Sequence, residues 1–448
     1  MATLEHVPNE IAREIMMRVG NESIKDLASL SVVNRRFHEM ADMETRKAFH
    51  KVTVTGQRYD VERLASIVEE ISKRKILGTY VQVVEVLDTC KDGAHSIPEF
   101  EFYNQDILDF LAAKDLDSDS EEGEGREKTE NAPLSEATLL GAMAATLFSL
   151  CPNINKLVIP RVPLGLWMVI GSIPYEDLYT LPPMLRGLRR VEFSHLEHRR
   201  CVRSVYQPVD MRHALLILSK FSTIECMRFE GISTRQDQDH VLSPRQSDLK
   251  KLHINHSFVD SAILTEALRH LKALEEFSYS CDGLYTFSPS PIQVHPDRLR
   301  GALYAHKSTL RVLDLDLRLG LIPLIVHAHA TRAKLSNSRL GSLAEFTALT
   351  HLSVDINCLL LYKPGERARR GSPILRLVDM LPRHLEYLCI REYMPGRNKL
   401  HDTNIEEFQN KRFELFPNLH EVFGIAEYIP GVQRVEFPDM PLDANLQH

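Results

Sequence analysis

LKKLHIN at 249–255, LEEFSYS at 274–280, LRVLDLD at 310–316, LTHLSVD at 349–355 and LEYLCIR at 385–391 share one pattern, an apolar residue at positions one, four and six. Outward from this block the same hexad recurs as Val81-Val84-Val86, Ile154-Leu157-Ile159, Leu188-Val191-Phe193 and Ile224-Met227-Phe229, and in weaker form as Leu419-Val422-Gly424. From Ile154 onward successive hexads start 25 to 39 residues apart, so the chain is a quasi-periodic array. Each hexad has the two-residue alternation of a strand. The stretches between them have helical spacing, as in Ala262-Ile263, Ala267-Leu268 and Leu271, or Leu375, Val378 and Leu381. One strand and one helix per unit, none able to bury its apolar face alone, predict an α/β solenoid of parallel strands with the helices outside.

These hexads resemble the leucine-rich repeat, in an irregular form. The family's usual Asn or Cys three residues past the last strand leucine survives only at Asn357, and the units are longer than the regular repeat. A nonrepetitive α/β domain is the alternative. Because strand neighbours point to opposite sides, the third, fifth and seventh positions form the open face. This candidate substrate-binding face comprises Arg190, Glu192 and Ser194; Arg228 and Glu230; Lys251, His253 and Asn255; then Glu276, Asp314, Asp316, His351, Ser353, Asp355, Tyr387 and Arg391. Bases gather early along it and acids later, a pattern suited to a bipolar protein ligand. A plainly solvated polar surface is the alternative for any single residue.

Ahead of the array, Ile11, Ile15 and Val19 and then Leu27, Leu30, Val33 and Phe37 recur at helical spacing, with Gly20 and Asn21 at the break. Ser23 and Asp26 resemble a capping box. Val7-Pro8-Asn9-Glu10-Ile11, Asp26-Leu27 and Val33-Asn34-Arg35-Arg36-Phe37 resemble the F-box family, with Val7, Asn34 and Phe37 standing where Leu, Cys and Trp are usual. The resemblance implies a three-helix module over residues 1–50, in which Val7, Pro8, Ile11, Ile15, Leu27 and Val33 pack against a Skp-type adaptor or support that surface, with Arg36 at its rim. The alternative is an amphipathic helical cap on the array. Residues 51–114 read as a first strand, helix and strand, with strands at 51–55 and 80–88 and a helix at 60–74; residues 134–448 carry the repeats.

Residues 115–133 include eight carboxylates against Arg126 and Lys128 and almost no apolar residue, the composition of a disordered insertion. Ser118 and Ser120 there precede acidic residues, a context for acidophilic kinases or simply a solvated loop. The body outside this segment is nearly neutral and lacks a sustained basic stripe, so nucleic acid is not the expected ligand. No run of eighteen apolar residues and no leader-like N-terminus is present, so neither a membrane nor a secretory route is expected. Seven dispersed cysteines without a C-x-x-C pair suit a reducing compartment, cytoplasmic or nuclear.

Nucleotide-binding, serine-hydrolase and zinc-protease motifs are absent, and Gly123 and Gly125 lack the strand that a dinucleotide fingerprint needs. His327 and His329 share one side of a strand pattern without a third ligand at metal spacing. The expectation is therefore a chain without catalysis, metal or cofactor. The F-box resemblance, similar to the divergent fungal set, implies a substrate receptor of an SCF-type cullin ubiquitin ligase, joined through the Skp-type adaptor, with an unidentified protein substrate on the repeats. A repeat scaffold that binds the adaptor and a protein partner without promoting ubiquitination is the alternative.

Overall fold

The computed structural model describes residues 8–22, 26, 29–30, 35–55, 58–87, 147–159, 187–194, 207–209, 211–218, 221–234, 242–257, 259–281, 294–317, 339–360 and 376–430. The chain divides into two compact units, Met1–Arg189 and Arg190–His448.

In the first unit, α1 (Asn9–Glu22) and α2 (Arg35–His50) close over Ala12, Met16 and Ala41, with Val19, Leu30 and Met40 packed around them. Asp26, Ser29 and Leu30 between them are also helical. The small residues at the crossing matter, because two helices approach closely only where side chains are short. The helix α2 runs directly into β1 (Lys51–Thr55), followed by α3 (Arg58–Lys73), the single turn α4 (Lys75–Gly78) and β2 (Val83–Leu87). β1 and β2 pair in parallel, and β3 (Lys156–Ile159) continues on the other side of β2. Gly78 is required there, since a Cβ would lie 2.2 Å from the Leu150 carbonyl oxygen. The Tyr80 hydroxyl donates to Asp42 Oδ1 at 3.0 Å, and Arg46 both pairs with Asp42 at 2.9 Å and lies over the Tyr80 ring at 5.1 Å. These contacts bind α2 to the turn before β2.

The second unit is a parallel stack of β4 (Arg190–Ser194), β6 (Cys226–Glu230), β8 (Lys251–Asn255), β9 (Glu276–Ser280), β10 (Val312–Asp316), β11 (His351–Asp355), β12 (Tyr387–Arg391) and β13 (Glu421–Phe423). A separate parallel pair joins β5 (Gln207–Val209) to β7 (Ile232–Thr234). Helices return the chain between strands: α5 (Met211–Leu218), α6 (Ser261–His270), α7 (Pro296–Leu303), α8 (Ile356–Leu360), α9 (Leu377–Met380) and α10 (Lys399–Leu415). The register does not slip along the stack. Val191, Met227, Leu252, Phe277, Leu313, Leu352, Leu388 and Val422 lie side by side. Phe193, Phe229, Ile254, Tyr279, Leu315, Val354 and Ile390 form the second row. Through β12 none of these side chains is more than 1% exposed. Phe193 and Phe229 stack with centroids 4.7 Å apart. A one-residue slip would turn both rows onto the open face, which is why the hexads hold register.

A backbone device repeats ahead of successive strands. The position-two carbonyl accepts from two successive N–H groups of the next unit: Lys250 O from Glu275 and Glu276, Glu275 O from Arg311 and Val312, Arg311 O from Thr350 and His351, and Thr350 O from Glu386 and Tyr387. Gln82 O does the same for Asn155 and Lys156 in the first unit. These bonds involve no side chain, so they survive the sequence drift between units.

The Asn ladder works differently from the sequence expectation. Asn357 turns back on its own strand, its backbone N–H and Nδ2 donating to Asp355 Oδ1 at 2.7 and 2.9 Å. The equivalent residue after β8 is Ser257, fully buried. Its hydroxyl accepts from Ile232 N–H of the preceding unit at 3.2 Å and donates to the Asn255 carbonyl at 2.7 Å. Three buried histidines supply further links between units. His306 Nδ1 accepts from Leu274 N–H at 3.3 Å, so its proton sits on Nε2, which donates to the Leu268 carbonyl at 2.9 Å. His270 Nδ1 contacts the Ser243 carbonyl at 2.6 Å and His401 Nε2 the Leu360 carbonyl at 3.2 Å. Burial pulls all three imidazoles below their ordinary pKa, so they are structural neutral rings.

The last hexad was weak in sequence because Gly424 stands where an apolar residue is expected. Its φ is +79° and a Cβ would lie 1.8 Å from the Ile390 carbonyl oxygen, so only glycine fits.

Candidate functional site

Because the stack is in register, the open face has three rows. The first holds Arg190, Cys226, Lys251, Glu276, Val312, His351, Tyr387 and Glu421; the second holds Glu192, Arg228, His253, Ser278, Asp314, Ser353, Cys389 and Phe423; the third holds Ser194, Glu230, Asn255, Ser280, Asp316, Asp355 and Arg391. Every predicted face residue falls in one of these rows, but Glu192, Ser353, Asp316 and Asp355 are buried there and not open to solvent as the alternation predicted. The hexad spacing that named them would also have named Cys226, Cys389, Val312 and Phe423, which charge-based reading passed over.

The run of early bases does not make a basic patch. Arg190 pairs with Glu192, Arg228 with Glu230 at 2.6 Å and Lys251 with Glu276 at 2.5 Å, while His253 Nε2 lies 3.8 Å from Glu276. Burial lowers the His253 pKa, against the pull of Glu276. The Ser278 hydroxyl donates to Asn255 Oδ1 at 3.0 Å, and Ser280 Oγ accepts from His256 N–H at 2.7 Å. The charges at this end are thus paired within the face, while the buried Nε atoms of Arg190 and Arg228 have no hydrogen-bond partner among the described residues.

Beyond β9 the character changes. Arg391 sits 2.9 Å from Asp314 Oδ1 and 4.0 Å from Asp316 Oδ2, and Asp316 and Asp355 are each only 1% exposed. Burial raises the Asp355 pKa to about 6, reinforced by Asp316 and Glu392 and opposed by its bonds from Asn357. His351, Tyr387 and Phe423 form a ring ladder with centroids 5.7 and 5.6 Å apart. Ser353, 9% exposed, has no hydrogen-bond partner for its hydroxyl among the described residues.

In the first unit the predicted docking residues divide. Ile11 and Ile15 lie four apart on α1, 49% and 37% exposed, with Met17 at 47% and Pro8 also exposed. The buried stripe of α1 is Ala12 and Met16, so the periodicity Ile11-Ile15-Val19 marks the edge of the packed face and its outward side. Arg36 lies in the first turn of α2. Val7, Leu27 and Val33 lie outside the described residues, as do Ser118, Ser120, His327 and His329.

The described cysteines are buried within the fold. Burial pushes the Cys151 thiol up to about 12 and raises Cys226 and Cys358, the opposite of what a thiolate nucleophile requires. Among the described residues no group of three His, Cys, Asp or Glu could hold a metal ion, and no helix is long and apolar enough to cross a membrane.

Residues 217–422, from the end of α5 into β13, match the leucine-rich repeat domain family. Domains of that family are typically non-catalytic modules for binding other proteins, on the concave surface their stacked strands create. No curated protein matches the chain.

Proposed function

We propose that this protein is the substrate-recognition subunit of an SCF-type cullin ubiquitin ligase, with the N-terminal helices docking on a Skp-type adaptor and the repeat face holding a protein substrate. The observation that carries the reading is the outward apolar edge of α1. A helix that already packs its partner through Ala12 and Met16 leaves Ile11, Ile15 and Met17 in solvent, on the segment whose sequence resembles an F-box. Large apolar side chains grouped on one helix mark a surface that another protein covers. The repeat domain, matched over 217–422, supports protein capture as the second half of the task. The receptor works by proximity: it raises the effective concentration of substrate lysines near a charged conjugating enzyme and takes no part in bond making. Its place of action is the cytoplasm or nucleus.

The test is adaptor capture by the full chain carrying Pro8→Ala and Ile11→Ala. Burying the rest of a half-exposed isoleucine is worth about 1 kcal/mol, and a central anchor about 2 kcal/mol or more, so capture should fall at least tenfold. Undiminished capture would remove the docking reading. Reconstitution with cullin and conjugating enzyme then separates receptor from scaffold, since only a receptor has its bound protein ubiquitinated.

A further inference from the structure

We propose that the cleft between α6 and α7 is a binding site for a small organic carboxylate, an anionic head on an apolar body. The site stands apart from adaptor docking and from the strand face. Its volume is about 670 Å³, the size of a small-molecule site. Stacked units ordinarily close on each other to bury their apolar surfaces. Here Ala262 of α6 and Gly301 of α7 leave a gap, and a Cβ built on Gly301 would meet nothing within 4 Å. Leu242 and Pro244 supply an apolar wall.

The charges around this space say what it takes. Glu266 is already engaged: it pairs with Arg212 at 2.8 Å and accepts from Leu242 N–H at 2.6 Å, which fixes the wall. Arg269 and Arg298 also line the cleft, and neither guanidinium has an ion pair or hydrogen bond among the described residues. Asp297 is the one opposing carboxylate in the lining that is likewise unpaired among them, so the uncommitted charges favour a monoanion. A planar guanidinium meets a carboxylate through two parallel N–H bonds. Thr265 lines the same space, is only 8% exposed, and its hydroxyl has no hydrogen-bond partner among the described residues. A helical threonine can return its hydroxyl to the carbonyl one turn back. This one leaves its O–H for a ligand oxygen.

The test is calorimetric titration of the full chain with 2-naphthoate, beside neutral 2-naphthamide and dianionic 2-naphthyl phosphate. The expected Kd for 2-naphthoate is about 1 mM, ordinary for a ligand of that size, with the amide about tenfold weaker and the phosphate no tighter. Arg269→Gln with Arg298→Gln should weaken 2-naphthoate about tenfold and leave the amide unchanged, while Arg397→Gln, outside the cleft, should change neither. Gly301→Leu fills the gap from a helical position where leucine is favoured over glycine, so binding should be lost while the melting temperature holds or rises. Thermal melts of every variant show that it is folded. Absence of saturable binding, equal binding of carboxylate and amide, tighter binding of the phosphate, or an arginine double variant that binds as well as the native chain would each overturn the proposal. So would binding that persists in folded Gly301→Leu.

Discussion

Replacing His306 by leucine isolates one of the inter-unit links. The ring is 2% exposed and leucine nearly matches its volume, so the change removes hydrogen bonding with little cavity. Leu274 N–H loses its acceptor and becomes a buried orphan, which costs about 1–3 kcal/mol. The Leu268 carbonyl loses the Nε2 donor but keeps Leu271 N–H at 3.3 Å, so only an ordinary bond of about 1 kcal/mol is lost there. The sum is on the order of 2–4 kcal/mol, located between the β9 and β10 units. In a stacked array such a loss weakens one interface more than the whole, so urea unfolding should shift to a lower midpoint and broaden. Hydrogen exchange at the Leu274 amide should accelerate by about a hundredfold for each ~2.7 kcal/mol lost. The pH response supplies an independent check. Because the folded pKa of His306 lies below its unfolded value near 6.5, the unfolded chain binds the extra proton first. Its stabilising contribution is therefore present above pH 6.5 and declines as pH falls from there toward the folded pKa, by at most about 1.4 kcal/mol per pH unit. The leucine variant should lose that part of the slope while His270 and His401 keep theirs. An unchanged midpoint together with unchanged Leu274 protection would refute the argument.

Three other substitutions follow from the same structure. Ser257→Ala strands the Ile232 N–H and should lower stability by about 1–3 kcal/mol, read by urea titration, with faster exchange at Ile232 as the local sign. Gly424→Ala cannot be accommodated against the Ile390 carbonyl at a φ of +79°, so β13 should detach from β12, seen as lost amide protection at Glu421–Phe423; a protected β13 would contradict the geometry. Asp355→Asn should stabilise the fold at pH 8 by up to about 3 kcal/mol and have little effect near pH 4. The native carboxyl, with its pKa raised to about 6, is ionised at pH 8 against the cost of its burial and is protonated near pH 4. Equal effects at both pH values would show that Asp355 is not desolvated.

The strands were legible because a two-residue alternation is local: hexad positions four and six became the two buried rows, and β1 occupies the 51–55 expected for it. Helices were legible where a long apolar stripe existed. The expected 60–74 is observed at 58–73, while the pattern around Leu375, Val378 and Leu381 yields only the short Leu377–Met380. What escaped reading depends on partners distant in sequence. Nothing near Lys251 reveals that Glu276, one unit later, takes up its charge, and nothing near His306 reveals that its ring bridges Leu274 and Leu268 of the preceding unit. On α1 the stripe Ile11-Ile15 was visible, but which side faced Ala41 required the second helix, since alanine at a close crossing leaves only a faint apolar signal.

The position-two carbonyl ladder has an evolutionary consequence. Since adjoining units are fastened by backbone groups and two apolar rows, the solvent-facing residues of the strand face, unlike the buried Asp316 and Asp355, answer few of the demands of folding. Mutation can sample new side chains there at small risk to the scaffold, so one architecture can change its cargo quickly. Where face residues bind each other, as Arg190 with Glu192 and Arg228 with Glu230, that freedom is exercised in pairs, and descendants should replace both partners or neither.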